Sequence, residues 1–288
     1  MALNPQQTNL VHDIFVRTAD ENYVTARWCA LNGLEIDFFW LAVHALEKYS
    51  KAVLLLNGYD AIGPKRRGYE HDIVKLCHKV KTFADELLPD RLLRPDNLVT
   101  VYWPDLSTDE FIQRLYSNGK AQNRYLIYGY TMFSSDLYML DQMVFALRRL
   151  IWPLDDPIVG GPGARTITHR QWLTDRPNCY NSLRMPLDDL IGRDGESSPK
   201  RAAALNCNVP FAPPDFVHTP ARAGIFARNP VIVRSILDPL NSKDQGWASE
   251  AIDLAQWLLD HIKVPRDVES DIKKSVKAAK GRPSAQKR

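Results

Sequence analysis

Between Glu35 and Asn57 the apolar residues Phe38, Ala42, Ala45, Leu46, Tyr49, Ala52, Val53 and Leu56 recur every three or four positions. Asp37, His44, Lys48 and Lys51 take the other side, a pattern that predicts an amphipathic helix closed by Gly58. Upstream, Asp20 to Asn32 predicts the latter part of a first helix, with Gly33 and Leu34 as a left-handed cap and its hydrophobic contact. Ile73, Cys77, Val80, Ala84 and Leu87 step by four, three, four and three, so a third helix is expected from about His71 to Leu88, ended by Pro89. The stretch from Leu98 to Trp103 alternates like a short strand. Ser107 with Glu110 forms a capping box for a short helix that stops at Asn118-Gly119. Leu137, Leu140, Val144, Leu147 and Ile151 then predict a long fourth helix, with Asp136 near its start and Arg148 and Arg149 at its end, where they would complement the dipole.

At Pro153 the texture changes, because twelve of the 19 prolines fall between Trp152 and Asn241 and exclude long regular elements there. Loops and short helices are expected, with starts at Ser198-Pro199 and Asn229-Pro230, where a capping residue precedes proline. Trp247, Ala251, Leu254, Leu258 and Ile262 restore helical periodicity, and a charged helix follows. The fold class expected is therefore mostly α. Residues 1–152 would form an up-and-down bundle, 153–241 an irregular Pro-rich region packed on it, and 242–288 C-terminal helices with a basic tail.

A chain of 288 residues with 45% hydrophobic content can bury a sizeable core. The net charge of +3 is unevenly placed: Ile272 to Arg288 holds seven basic residues and no acidic one, which leaves 30 basic against 34 acidic residues elsewhere. Such an end attracts polyanions without reading their sequence. There is no long apolar run and no export-like start, so no membrane contact and a cytoplasmic location are expected. Cys29, Cys77, Cys179 and Cys207 form no C-x-x-C pair, and reduced, buried thiols are expected. Cys77 and His78 are adjacent, while His12, His169, His218 and His261 lack ligand spacing, so neither a metal site nor a cofactor is expected. Gly160 to Gly163 lacks the lysine and the strand-to-helix setting of a phosphate loop.

Asn22 to Trp28, Phe39 to Gly58 and His71 to Leu76 carry a resemblance, most tellingly in Ala45-Leu-Glu-Lys48, Lys51-Ala52 and His71-Asp72. Over roughly residues 15 to 151 the chain resembles the HEPN family, the higher-eukaryote and prokaryote nucleotide-binding domains. The resemblance implies a helical bundle that often forms a homodimer, found in metal-independent RNases, in toxin–antitoxin and phage-defence systems, and in non-catalytic partners of nucleotidyltransferases. HEPN ribonucleases place an arginine four to six positions before a histidine, and Arg66-Arg67-Gly-Tyr-Glu-His71 has that spacing. It departs from the family in having arginine at 67 and in following the second helix.

Two candidate sites result. Lys65, Arg66, Arg67, His71 and Asp72 gather a guanidinium fork and a helix start, the pairing suited to phosphate. If that site were catalytic, His71 would be the base and Arg66 or Arg67 would stabilise the phosphorane, without a metal. His44, Glu47, Lys48 and Lys51 share one side of the second helix and would line a polar groove or form an exposed ion-pair face. Tyr125, Tyr128, Tyr130 and Phe133 would stack on bases or belong to the core or a dimer interface. The function expected is binding of a nucleotide or RNA phosphate. The alternatives are a metal-independent endoribonuclease and a non-catalytic dimeric adaptor or nucleotidyltransferase partner.

Overall fold

The computed structural model describes residues 3–61, 71–158, 166–192, 198–262 and 264–282. Most of them are helical, as the periodicity predicts. Lys65, Arg66, Arg67 and the Gly160 to Gly163 run lie outside the described residues.

The chain opens with α1 (Pro5–Val11), started by a capping box between Asn4 and Gln7. A wide π turn over His12–Val16 leads without a break into α2 (Arg17–Leu31). Gly33 has φ +77° and lets the Leu34 N–H reach the Cys29 carbonyl at 2.9 Å, which turns the chain into α3 (Glu35–Leu56). Every apolar residue named above for α3 is buried, and α2, α4 (Ile73–Ala84), α5 (Thr108–Asn118) and α6 (Ser135–Arg149) all pack on it. The end of α5 comes so close that a Cβ on Gly119 would lie 2.6 Å from the Phe39 carbonyl oxygen and 2.5 Å from Val43 Cγ2. Only glycine fits that crossing.

The third helix is shorter than expected, because a 3₁₀ turn over Asp85–Leu87 finishes it. The expected strand at Leu98 to Trp103 is absent. A 3₁₀ turn over Asp96–Leu98 takes its place, with Leu98 N–H on the Pro95 carbonyl and Val101 N–H on that of Leu98, both at 3.0 Å. Leu98 and Val101 are buried while Val99 and Tyr102 are exposed, so the residues facing the core are spaced by three. The strands that do form are short: β1 (Tyr130–Phe133) pairs with β4 (Ile225–Arg228), and β2 (Pro157–Ile158) with β3 (Ile167–Thr168).

The Pro-rich stretch supplies α7 (His169–Asp175), α8 (Pro186–Gly192) and α9 (Pro199–Leu205), and Ser198 caps α9 as its sequence predicts. Helices α8 and α9 pack on α2. Two compact units result, one of residues 1–120 with 132–226 and the other of 121–131 with 227–288, and these divisions do not coincide with boundaries at 152 and 241. The second unit holds α10 (Asp238–Asn241), α11 (Gln245–His261) and α12 (Arg266–Lys280) around Ile232, Ile236, Leu240, Leu258 and Ile272. On α11 the buried face is Ala248, Ala251, Ala255 and Leu258. Trp247, Leu254 and Ile262 are exposed, so the helix is rotated from the expected face. No helix among the described residues is long and apolar enough to cross a membrane.

Charged side chains in the middle of the first unit depart most from expectation. Arg148 and Arg149 do not sit at a solvated helix end but in the core, and Asp136 is buried too. Asp136 accepts the Phe133 N–H at 2.9 Å and a fork from Arg114, while Arg149 donates to the carbonyls of Leu173, Arg176 and Cys179 around the end of α7. Arg148 meets Asp20 of α2 at 2.5 Å, and Arg27 of α2 meets Asp141 of α6 at 2.7 Å. Asp20 and Asp141 also accept the buried hydroxyls of Tyr49 at 2.6 Å and Tyr23 at 2.7 Å. Arg27 further donates to the carbonyls of Ala203 and Asn206, which ties the Pro-rich stretch to α2.

Asp141→Ala is expected to cost about 3–5 kcal/mol of unfolding free energy, because it leaves the Arg27 guanidinium buried and unpaired. Adding Arg27→Met should recover only part of the loss, since the Ala203 and Asn206 carbonyls then lose their donor. Urea denaturation of both variants measures this. A loss below about 1 kcal/mol in the single variant would show that water reaches the pair.

Candidate functional site

His71 lies just ahead of α4, whose face of Ile73, Leu76, Cys77 and Val80 is buried. That packing on α3 holds the start of α4 beside the middle of α3, where Ser50 Oγ and Cys77 Sγ approach to 3.6 Å. Asp72 caps α4 by accepting the Lys75 N–H at 3.1 Å and pairs with Lys75 Nζ at 3.0 Å, so its own carboxylate complements the helix start. The His71 ring turns the other way, towards Glu47 of α3.

Glu47 is the centre of the arrangement. It is buried at 5% exposure, although its helix row would place it beside exposed lysines. Lys51 Nζ donates to Oε1 at 2.6 Å. His44 Nδ1 lies 3.3 Å from Oε2, and His71 Nδ1 lies 3.1 Å from Oε2 and 3.2 Å from Oε1. Burial pushes the Glu47 carboxyl up, but hydrogen bonds from His44, Lys51 and His71 and the charge on Lys51 outweigh it and leave the pKa at about 2. The carboxylate is therefore ionised at neutral pH. An Nδ1 that faces an ionised carboxylate carries its proton, so Nε2 is an acceptor on a neutral ring and a donor on a protonated one. The Trp40 and His44 rings meet nearly perpendicular, 4.3 Å between centroids, which further fixes that imidazole.

The fold thus joins two predicted sets through one carboxylate: His44, Glu47 and Lys51 from the polar row, and His71 from the phosphate candidates. Lys48 does not take part, because its Nζ reaches the Thr18 carbonyl at 3.4 Å. Exposure rises across the cluster from 6% at the Glu47 side chain through 18% at Lys51 and 21% at His44 to 78% at His71. The cluster thus runs from a buried anion to a solvent-facing imidazole.

Reasoning from spacing missed that His44, Glu47 and His71 bring ligand atoms within 4.8 Å of one another, a grouping able to hold a metal ion. The clue lay in the chain: His44 and Glu47 are three apart on one helix, a ligand spacing, and the third member comes from the next element. The thiols offer no nucleophile of comparable promise. Burial pushes Cys29 and Cys77 up to about 11, the Cys207 Sγ sits 3.3 Å from the Thr219 carbonyl, and only Cys179 among the four is exposed. Of the aromatic series, Tyr130 is buried, Tyr125 and Tyr128 are exposed, and Phe133 carries the Arg114 guanidinium at 4.4 Å.

A cavity of about 950 Å³ lies between Leu93, Phe145, Leu173 and Val209 in the first unit. Three of its polar wall residues are committed to the fold. Asp141 is paired with Arg27, Gln142 bonds both backbone groups of Leu93, and Arg149 is spent on carbonyls. The cluster at Glu47 gathers more titratable groups on one point. Family models, curated proteins and solved structures were each compared with this chain, and none matches.

The depressed Glu47 pKa has a signed consequence. The carboxylate contributes stability that is complete above the ordinary glutamate value of about 4.3 and is lost as pH falls through about 2. Glu47→Gln should lower the urea midpoint in metal-free buffer at pH 5, by an amount that shrinks as pH falls below about 4.5. A midpoint difference independent of pH down to pH 2 would show that the ionised form is not what the cluster stabilises.

Proposed function

We propose that this chain is a helical module that binds the phosphate of a nucleotide or of an RNA backbone at the cluster of His44, Glu47, Lys51 and His71. The observation that supports it is the convergence of three nitrogen-bearing side chains from two elements on a buried, ionised carboxylate, with His71 turned to solvent. An incoming phosphate accepts from the Lys51 ammonium and, when the His71 ring is protonated, from its outer N–H, while Glu47 holds both side chains in place. The resemblance of residues 15 to 151 to HEPN domains favours the same reading and rests on residue pattern. A homodimer, a nucleotidyltransferase partner and a place in a defence system are implied by that resemblance.

A second reading is favoured by one contact, the pairing of His71 Nδ1 with Glu47. A carboxylate that fixes one ring nitrogen leaves the other as a base of defined direction, which is what abstraction of a 2′-hydroxyl proton needs. In that reading the chain is a metal-independent endoribonuclease.

His71→Ala and Lys51→Ala are each expected to weaken binding of a labelled single-stranded RNA or a nucleoside triphosphate by about tenfold or more, the worth of one charge-assisted hydrogen bond. Fluorescence anisotropy at fixed salt measures it. Affinity unchanged in both variants would remove the phosphate-binding reading. RNA cut by the wild type in EDTA and left whole by His71→Ala would favour the nuclease. RNA left whole by the wild type across several substrates would remove it.

A further inference from the structure

We propose that His44 Nδ1, His71 Nδ1 and Glu47 Oε2 form a binding site for one first-row divalent cation of the zinc class, open to solvent on the His71 side. The three atoms come from the middle of α3 and the start of α4, and the two nitrogens lie 3.3 and 3.1 Å from the same carboxylate oxygen. Ligands held about 2.0–2.2 Å from a metal stand roughly 3.0–3.5 Å apart, so both nitrogens already sit at ligand spacing from Oε2. The ion takes the place of hydrogen-bonding protons. In the metal-free protein each Nδ1 directs its N–H at Glu47, and on binding each neutral ring carries its proton on Nε2 and turns the Nδ1 lone pair to the metal.

The surroundings suit this exchange. Lys51 Nζ, 2.6 Å from Oε1, occupies the second carboxylate oxygen and leaves Oε2 for the ion, while Trp40 braces the His44 ring. Lys51 supplies a positive charge for Glu47. Two imidazoles that converge on the same carboxylate through the same ring atom exceed what burial of one glutamate requires. Two imidazoles with one carboxylate select borderline transition ions over calcium or magnesium, which prefer oxygen ligands. His71 is 78% exposed, so the remaining coordination positions face water. A phosphate oxygen would take one of them. That last step rests on the proposed function, whereas the metal site does not.

The test uses the full chain, free of tags and stripped of metal. Titration with Co²⁺ should saturate at one equivalent with a visible d–d spectrum of low coordination number, and Zn²⁺ should displace it. His71→Ala removes an exposed side chain and leaves no cavity. It should weaken Co²⁺ binding by more than about tenfold, as should His44→Gln, with far-ultraviolet circular dichroism unchanged. Cys179→Ser should leave the titration as it is. Absence of a d–d spectrum, a titration that His71→Ala leaves unaltered, or a thiolate charge-transfer band lost in Cys179→Ser would each overturn the proposal. RNA binding, measured with and without Zn²⁺, separates the two ideas. Metal binding with no RNA binding at either condition sinks the phosphate reading and leaves the metal site standing. RNA binding that His71→Ala weakens, in a chain that takes up no Co²⁺, does the reverse.

Discussion

The first unit is organised by charge that has been taken out of water. Asp20 and Arg27 stand two helical turns apart on α2, Asp141 and Arg148 stand two turns apart on α6, and each acid meets the base of the other helix. This reciprocity requires the helices to run antiparallel. It also sets their register, because a slide of two turns one way would bring Asp20 to Asp141, and the other way Arg27 to Arg148. Desolvation makes such pairs modest as sources of stability, yet it makes any arrangement that separates them costly. The hydroxyls of Tyr23 and Tyr49 and the carbonyls that Arg27 reaches complete the hydrogen bonding, so two helices, α9 and the loop after it share one polar seam.

How far this was legible in the sequence depends on the kind of information involved. Caps and periods are local, and Gly33 with Leu34, Ser107 with Glu110 and the row from Phe38 to Leu56 all stand where their residues predict. Buried charge is not local. Arg148 and Arg149 at the end of an amphipathic helix look like dipole partners, and what overturns that is Asp20, 128 residues away, together with the carbonyls around α7. The alternation from Leu98 to Trp103 misled for a related reason. With no neighbouring strand among the described residues to complete a ladder, its backbone groups found partners three residues back.

Within the candidate site, His44, Glu47 and Lys51 could be placed together from their spacing, whereas the burial of Glu47 and the arrival of His71 could not. Val43, Glu47, Ser50 and Leu54 share a helix row, and a carboxylate in a row that is otherwise apolar or small predicts that something on the facing element must neutralise it. Packing of the apolar face of α4 on α3 brings that element in, and His71 and Asp72, neighbours in sequence, are then divided between two tasks. Asp72 serves the helix and His71 serves the cluster.

The π turn at His12–Val16 bears on how this arrangement tolerates change in chain length. A π turn is a helical turn that has taken in one residue more than the α repeat accommodates, while the helix on either side keeps its phase. Val11 before it and Val16 at its end are both buried, so both flanks present their proper sides to the interior. A one-residue deletion at this place returns the turn to α geometry and leaves the face of α2 that carries Asp20, Tyr23 and Arg27 where it was. The same deletion inside α3 would swing Glu47 out of its cluster by about a quarter of a turn. In the first unit this slack therefore lies ahead of the seam.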